Sequence, residues 1–177
     1  MSQHFYRSEG TVKNTSVEPY VRTIRQRLDR PLVLVGLMGA GKSRLGRLIA
    51  KNLELPFYDS DSEIEQSAGR TVREVLAEIG EAAFRSAEIR VLNRLIGEGV
   101  SVIATGGGTD LNMSQMTELA TRAHVMWVRA SFDVMMARLT RGTNPRPLLD
   151  GKDVAATLHQ LMDDLYPVYQ NAHVIVD

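Results

Sequence analysis

Several features that many proteins have are missing from this sequence. None of its 177 residues is a cysteine, which excludes a disulfide scaffold, thiol catalysis and a cysteine-based zinc site. Lysine plus arginine and aspartate plus glutamate each number 21, so no net charge attracts nucleic acid or an anionic membrane surface. No apolar run approaches the ~18 residues of a membrane-spanning helix, and residues 1–10 lack the hydrophobic segment of a secretion signal. The composition therefore predicts a soluble, cytoplasmic protein with a single domain.

One stretch combines an apolar strand pattern, a glycine-rich loop and the start of a helix. The apolar run 32–35 is typical of a parallel strand covered on both faces, and a helical pattern begins at Leu45. Between them, residues 36–43 read Gly-Leu-Met-Gly-Ala-Gly-Lys-Ser and match the phosphate-binding pattern G-x-x-x-x-G-K-[ST]. Lys42 would contact the β- and γ-phosphates of a nucleotide, and Ser43 would bind Mg²⁺. The alternative is a glycine-rich turn that only joins strand to helix. The residues predicted to bind the nucleotide here are Gly39, Ala40, Gly41, Lys42, Ser43 and Arg44.

Apolar runs and helical patterns alternate along the chain from residue 31 onward. Strands are predicted at 32–35, 55–58, 100–104, 124–128 and 173–176, and helices at 62–68, 71–79, 82–96, 112–120, 131–140 and 153–169. This alternation predicts an α/β fold in which helices wrap both sides of a parallel sheet, with the site at the carboxyl ends of the strands. The phosphate loop, the pair Asp59 and Asp61, and the triple glycine 106–108 each follow a strand, so we expect them to meet in one crevice.

The residues before this domain carry no recognisable chemistry. Residues 1–14 are polar and without periodicity, which predicts a mobile tail. Residues 15–30 have apolar residues at helical spacing, which predicts an amphipathic helix docked on the domain 31–177. Four arginines make this helix basic, as in some nucleic-acid contacts, but Glu18 and Asp29 interrupt the charge and favour a solvated face.

The acidic pair Asp59-Ser60-Asp61 suits a metal and an alcohol substrate. Alternation along a strand would send both carboxylates to the same side, where one could serve Mg²⁺ and the other the hydroxyl that accepts a phosphate. The alternative for either residue is an N-cap of the following helix.

Two arginines and three glycines could complete such a site. Arg85 could bind a carboxylate, although its i, i+3 neighbour Glu88 also allows an ordinary ion pair on a helix surface. Arg146, between two prolines, could reach the phosphates from a mobile lid or be a solvated loop cation. The glycines at 106–108 suit a place where substrate lies against backbone.

Successive segments together resemble the signatures of the shikimate kinase family. They are Gly-Leu-Met-Gly-Ala-Gly-Lys-Ser at 36–43, Phe-Tyr-Asp-Ser-Asp-Ser-Glu-Ile-Glu at 57–65, Gly-Glu-Ala-Ala-Phe-Arg at 80–85, Ala-Thr-Gly-Gly-Gly at 104–108 and Arg-Pro-Leu-Leu at 146–149. The resemblance implies ATP-dependent phosphorylation of the 3-hydroxyl of shikimate, a step of chorismate and aromatic amino-acid biosynthesis. It also implies a three-layer sandwich with a five-stranded parallel sheet, on the plan of the P-loop nucleoside-monophosphate kinases. We expect a monomer whose partners are ATP with Mg²⁺ and shikimate, without nucleic acid or membrane.

The matching motifs assign roles to single residues by resemblance. Lys42 and Ser43 would serve the phosphates and Mg²⁺, and Asp59 would belong to the outer shell of the metal. Asp61 would hold the acceptor hydroxyl and act as base. The remaining assignments are Arg85 for the substrate carboxylate, Gly107 and Gly108 for the substrate ring, and Arg146 as the lid cation.

The sequence also departs from the family pattern. Arg44 stands where the family usually has threonine, at a helix position expected to point away from the phosphates. Leu165 stands where the family has a second arginine for the shikimate carboxylate, from which we expect weaker shikimate binding. The sequence printed here ends at Asp177, where the family ordinarily continues through an adenine-contacting turn and a closing helix. Two alternatives stay open: a kinase of another small polyol acid such as gluconate, and a shikimate-kinase-like module that binds a ligand without turnover.

Overall fold

Five short parallel strands form the centre of the fold in the computed structural model, which describes residues 18–107, 109, 111–141, 149 and 151–177. The strands are β1 (Leu32–Val35), β2 (Phe57–Asp59), β3 (Val102–Ala104), β4 (His124–Val128) and β5 (Val174–Val176). Their order across the sheet is β2-β3-β1-β4-β5, and every pairing is parallel. Helices lie on both sides of this sheet, so the predicted α/β fold with a five-stranded parallel sheet is confirmed.

The central strand β1 is buried because it is covered on both faces. Val33, Leu34 and Val35 have no measurable exposure, as expected for a continuous apolar run in a parallel sheet. β1 pairs with β3 on one side and with β4 on the other. β2 and β3 lie on one side of β1, and β4 and β5 lie on the other, so the order of the strands switches sides at β1. The loop that follows β1 therefore lies at the position where such folds bind ligands.

Seven helices are present in the described part of the chain. They are α1 (Glu18–Arg27), α2 (Lys42–Leu53), α3 (Ser60–Ala68), α4 (Val72–Gly97), α5 (Met113–Arg122), α6 (Phe132–Arg141) and α7 (Val154–Tyr169). The helix predicted at 71–79 and the one predicted at 82–96 form α4, which bends at Gly80, where φ is 78° and ψ is 165°. Thr71 and Glu74 form a capping box at its start. None of the helices in these described ranges is long and apolar enough to cross a membrane.

The N-terminal helix ends earlier than predicted. α1 covers Glu18–Arg27 and so stops three residues before the predicted end at residue 30, while residues 15–17 and the predicted tail 1–14 lie outside the described residues. α1 contacts α2, and Arg25 pairs with Glu54. However, it has no buried residue, and Tyr20 and Ile24 are 70% and 49% exposed. The described part of the chain therefore does not cover the apolar face of this helix.

Candidate active site

The segment between β1 and α2 curls around the N-terminal end of α2. Gly36, Gly39 and Gly41 have φ values of 141°, 79° and 106°, a region that residues with a Cβ atom rarely adopt. At Gly36 a side chain is also excluded by space, because its Cβ would lie 2.3 Å from the carbonyl oxygen of Val128. Gly41 is the N-cap of α2 and has no side chain to cap it. The first N–H groups of this helix can therefore donate to an anion.

Two cations bind carbonyl oxygens of this phosphate loop. The Nζ atom of Lys42, which is 6% exposed, donates to the carbonyl oxygens of Gly36 at 2.7 Å and of Leu37 at 3.1 Å. Arg138, on α6, donates from Nη1 to the carbonyl oxygens of Gly39 at 2.8 Å and of Ala40 at 3.0 Å. The loop is thus held in its curled form by its own lysine and by an arginine that sequence analysis did not single out.

Asp59 connects the end of β2 to the phosphate loop. Its Oδ2 atom accepts a hydrogen bond from the Ser43 hydroxyl at 2.6 Å, and its Oδ1 atom accepts the Asp61 N–H at 3.2 Å. Asp59 is therefore the N-cap of α3 and also a partner of Ser43. The N-cap interpretation is thus confirmed and occupies one carboxylate oxygen, and the Mg²⁺ interpretation stays a prediction that would use the other oxygen.

Asp61 faces a different neighbour from Asp59, and the predicted reason for their position is wrong. Asp61 is the second residue of α3, not a residue of β2, so strand alternation does not place it. Its Oδ1 atom would lie 2.5 Å from a Cβ built on Gly106. One aspartate thus lies against the phosphate loop and the other against the first glycine after β3, which suits two separate tasks.

Gly107 packs directly on the phosphate loop. A Cβ atom at this position would lie 2.7 Å from the Cβ and 2.8 Å from the Cα of Met38. Packing within the protein is therefore sufficient to explain why glycine is required here, whether or not a substrate also contacts this backbone. The contact joins the loop after β1 to the loop after β3, so these two loops share one crevice.

The ion pair of Arg85 and Glu88 is not the surface pair that one interpretation of the sequence suggested. Nη1 of Arg85 lies 2.7 Å from Oε2 of Glu88, whose side chain is only 2% exposed, while the Arg85 side chain is 20% exposed. The second oxygen of Glu88 accepts a hydrogen bond from Thr109 Oγ1 at 3.1 Å and lies 2.8 Å from a Cβ built on Gly106. Glu88 therefore fixes the direction of the Arg85 guanidinium beside the glycine loop.

A cavity of about 1060 Å³ lies beside the phosphate loop, toward the edge strand β5. Arg44 lines it together with Arg138 and the aromatic ring of Tyr166. Burial raises the pKa of the Tyr166 hydroxyl. At the rim, the Arg129 guanidinium donates to Asp177 at 2.7 Å and holds the pKa of that carboxyl below its usual value. Arg44, expected to point away from the phosphates, thus borders a space large enough for part of a nucleotide.

Leu165 belongs to the hydrophobic core. It is 3% exposed and packs in the central cluster with Leu158 and Tyr169 of the same helix. The Tyr169 hydroxyl lies 3.4 Å from the carbonyl oxygen of Thr109, two residues after Gly107. This part of α7 therefore borders the glycine loop through Tyr169, while Leu165 adds apolar contact and no charge.

The three segments that the topology predicted to meet do lie together: Asp59 bonds to Ser43, Asp61 lies beside Gly106, and Gly107 packs on Met38. Gly108 and Arg146 lie outside the described residues. The role of Glu88 beside Arg85 was not predicted, although the spacing of the two residues is evident in the sequence, because burial cannot be deduced from spacing. The contacts of Thr109 and Arg138 were not predicted either, since the sequence gives no signal of them.

Oxygen ligands suited to Mg²⁺ are available where the sequence predicted them. The part of the chain that the structure describes contains no cluster of three or more histidine, cysteine or acidic residues that could hold a metal on its own. Mg²⁺ bound with a nucleotide needs fewer protein ligands, because phosphates and water supply the rest. Ser43 and Asp59, with their oxygen atoms 2.6 Å apart, fit this requirement.

Known proteins resemble this chain over most of its length. The family model described as Shikimate kinase matches residues 38–177. The shikimate kinase of Brucella canis is 45% identical over 166 residues, which cover 93% of this chain and 82% of that protein. The shikimate kinase of Caulobacter vibrioides is 44% identical over 148 residues, covering 84% and 74% respectively.

Solved structures give the same result. The shikimate kinase of Acinetobacter baumannii, in complex with shikimate, superposes with a TM-score of 0.80 and 34% identity over 89% of this chain and 87% of that one. The enzyme of Bacteroides thetaiotaomicron gives 0.77 and 32%, over 84% and 86%. A gluconokinase of Sinorhizobium meliloti gives 0.56 and 16%, over 84% and 82%, so it shares the fold alone. With its phosphate loop, its acidic pair and its glycine loop gathered at one end of a five-stranded parallel sheet, this chain belongs to the shikimate kinase family.

Proposed function

We propose that this chain transfers the γ-phosphate of ATP to the 3-hydroxyl of shikimate. Family membership supports the reaction, and one observation carries the assignment of the site: Gly107 packs on Met38, so the acceptor side adjoins the phosphate loop. Phosphoryl transfer depends on positioning, because the attacking oxygen must be in line with the terminal phosphorus. A carboxylate for the acceptor beside a phosphate loop is the arrangement that this reaction needs.

The nucleotide side of the proposed site is the loop from Gly36 to Ser43. Its backbone N–H groups would cradle the phosphates, and Lys42 would exchange carbonyl oxygens for β- and γ-phosphate oxygens. Arg44 and the cavity beside it would accommodate the rest of the nucleotide. Arg146 would supply a further positive charge from the segment 142–148.

Mg²⁺ would be held at Ser43 and Asp59. The hydroxyl oxygen of Ser43 would contact the ion directly, and the Asp59 carboxylate would accept hydrogen bonds from its water ligands. When bound, the ion neutralises charge on the β- and γ-phosphate oxygens. The N-cap bond from the Asp61 N–H would keep Asp59 in place, since it uses the other carboxylate oxygen.

The acceptor side would consist of Asp61, Arg85 and the glycine loop. Asp61 would accept a hydrogen bond from the 3-hydroxyl, orient this oxygen and take its proton. Arg85, held by Glu88, would bind the shikimate carboxylate through charge-assisted hydrogen bonds. Gly107 and Gly108 would present backbone to the ring.

A coupled assay of ADP release would test this function. Purified protein is given Mg·ATP with shikimate, with gluconate or with no acceptor, and the phosphorylated product is identified by ³¹P NMR. We expect turnover with shikimate alone. Turnover with gluconate would favour the other polyol-acid kinase, and binding of shikimate without ADP release would favour a ligand-sensing module.

Two aspartate variants would test the proposed base. Asp61→Asn should lower kcat by about 10²- to 10⁴-fold, the usual contribution of a general base. Asp163→Asn is the matched control, because Asp163 is exposed on α7, and its activity should equal that of the wild type. Equal activity of the two variants would show that Asp61 does not have this role.

We further propose that the protein acts in the cytoplasm as a monomer, without nucleic acid or membrane as partner. The balance of 21 basic and 21 acidic residues supports the absence of nucleic acid and membrane as partners. Light scattering coupled to size exclusion would test it, with the mass of one 19.7 kDa chain as the expected result.

A further inference from the structure

The residue between the two aspartates closes the ladder of hydrogen bonds between β2 and β3. In this ladder Phe57 is opposite Val102, and the Val102 N–H donates to the carbonyl oxygen of Pro56 at 2.9 Å. Alternate N–H groups of a parallel strand face the same neighbouring strand, so after Val102 the N–H groups that face β2 are those of Ala104 and Gly106. The chain of β2 has already entered α3 at that level and cannot offer a strand carbonyl. The Ser60 hydroxyl oxygen accepts the Gly106 N–H instead, at 2.9 Å.

Gly106 is crowded by the side chains that surround the acceptor side. A Cβ atom there would lie 2.5 Å from Asp61 Oδ1, 2.8 Å from Glu88 Oε1 and 3.1 Å from Thr109 Oγ1. Because these atoms leave so little space, a displacement of Gly106 would displace Asp61 and Glu88 too. Ser60 is only 2% exposed and is the chain neighbour of Asp61. Its hydrogen bond therefore fixes the distance between the first turn of α3 and the glycine loop.

We infer that Ser60 is a positioning residue for phosphoryl transfer, which sets Asp61 and the glycine loop relative to each other without touching substrate. The inference rests on the proposed function, because it concerns the acceptor side of that site. It also distinguishes the two sides. Ser43 and Asp59 are bonded to each other and not to Gly106 in the described contacts, so loss of the Ser60 bond should affect the acceptor side more than the nucleotide side.

The test compares three variants at Ser60 with one control. Ser60→Ala removes the acceptor oxygen, Ser60→Cys keeps the shape with a poor acceptor, and Ser60→Thr keeps the hydroxyl. Ser101→Ala is the control, because Ser101 is also 2% exposed and its hydroxyl also bonds to backbone, to the Gly99 carbonyl oxygen at 3.2 Å. Ser101 lies at the opposite end of β3, so its variant loses a buried hydroxyl far from the crevice.

Ser60→Ala and Ser60→Cys should lower kcat/KM for shikimate by about 10- to 100-fold, because a misplacement of reacting groups by up to about 1 Å lowers the rate by this much. The KM for ATP should stay within about twofold, and Ser60→Thr should recover most of the activity. Ser101→Ala should lower the melting temperature while both KM values and kcat stay within about twofold.

Three outcomes would overturn the inference: an unchanged kcat/KM for shikimate in Ser60→Ala or in Ser60→Cys, an equal rise in the KM for ATP, or a loss of activity in Ser101→Ala as large as in Ser60→Ala. If Ser60→Ala does not fold, by circular dichroism, Ser60→Cys decides because its sulfur atom fills the space of the hydroxyl and leaves no cavity. A wild type that fails to phosphorylate shikimate would refute the proposed function instead, since the inference concerns only the ratio of each variant to an active wild type.

Discussion

The contact between Gly107 and Met38 can be tested by adding a single methyl group. In Gly107→Ala the new Cβ atom would lie 2.8 Å from the Met38 Cα and 3.2 Å from the Met38 nitrogen. These are backbone atoms of the phosphate loop, which cannot rotate away as the end of a side chain can. Carbon atoms are normally about 3.5 Å or more apart, so one of the two loops must move by roughly 0.7 Å.

The added methyl group should lower both the stability of the protein and its activity. Overpacking of this kind costs about 1–3 kcal/mol in the free energy of unfolding. Movement of the phosphate loop by this amount also misaligns ATP and acceptor, and a displacement of about 1 Å can cost about 100-fold in rate. We therefore expect kcat/KM to fall by about 30- to 100-fold, equivalent to roughly 2–2.7 kcal/mol of lost transition-state stabilisation.

Steady-state kinetics and urea unfolding would measure these two effects, with Gly97→Ala as control. Gly97 is the last residue of α4, and its Cβ would meet nothing within 4 Å. Alanine there should stabilise the helix by up to about 1 kcal/mol and leave activity unchanged. If Gly107→Ala were as active and as stable as Gly97→Ala, the two loops would not be in the close contact from which the site is built.

Three further predictions concern single side chains. Arg85→Lys keeps the charge but not the fork held by Glu88, so the KM for shikimate should rise about 10-fold or more in the kinetic assay while the KM for ATP is unchanged. Leu165→Arg should lower the KM for shikimate by roughly 10- to 150-fold, which is the contribution of one charge-assisted hydrogen bond. The melting temperature of this variant should also fall, because the position is only 3% exposed and a charge would be buried there. An unchanged KM would mean that a cation is not needed at this position. Hydrogen bonds from the Thr71 N–H, the larger cause, and from the Thr71 hydroxyl lower the pKa of Glu74 below its ordinary value of 4.5. The ionised carboxylate therefore stabilises the fold at pH values above 4.5, and this contribution is lost as the pH falls through the lowered pKa. Urea midpoints measured between pH 7 and pH 3 should therefore fall more steeply in the wild type than in Glu74→Gln, and parallel curves would contradict this role of the capping box.

The sequence was sufficient to predict the fold, because local patterns and topology agree. The run 32–35, the loop 36–43 and the helix after it are each visible in residue types alone, and the structure has β1, the curled loop and α2 at these places. Gly80 also acts as a local signal, since its left-handed φ interrupts α4 where the sequence predicted a boundary between two helices. The rule that parallel strands end at one edge then predicts the crevice.

The details of the site required long-range packing, which the sequence does not express. Asp61 was placed near Asp59 by strand alternation, whereas the chain turns into α3 one residue earlier and Asp61 faces Gly106 instead. Spacing identified the pair of Arg85 and Glu88 but not its burial, which depends on β3 and the loop after it. The exposed apolar face of α1, with Tyr20 70% exposed, was equally beyond a periodicity argument, because periodicity shows that a face is apolar and not what covers it.

The existing partners of these residues make the two halves of the site differ in what binding requires. Lys42 donates to Gly36 and Leu37, and these bonds must be broken before it can serve a phosphate, so nucleotide affinity is the difference between two sets of hydrogen bonds. Arg85 differs, because Glu88 is buried beneath it and holds one end of the guanidinium, while the other end contacts the exposed carboxylate of Glu81, at 3.3 Å. Part of the side-chain entropy of this arginine, about 2 kcal/mol when fully lost, has thus been spent in folding. In the proposed site, the buried contact of Arg85 with Glu88 would therefore stay in place when a carboxylate binds, whereas nucleotide binding must rearrange the contacts of the loop.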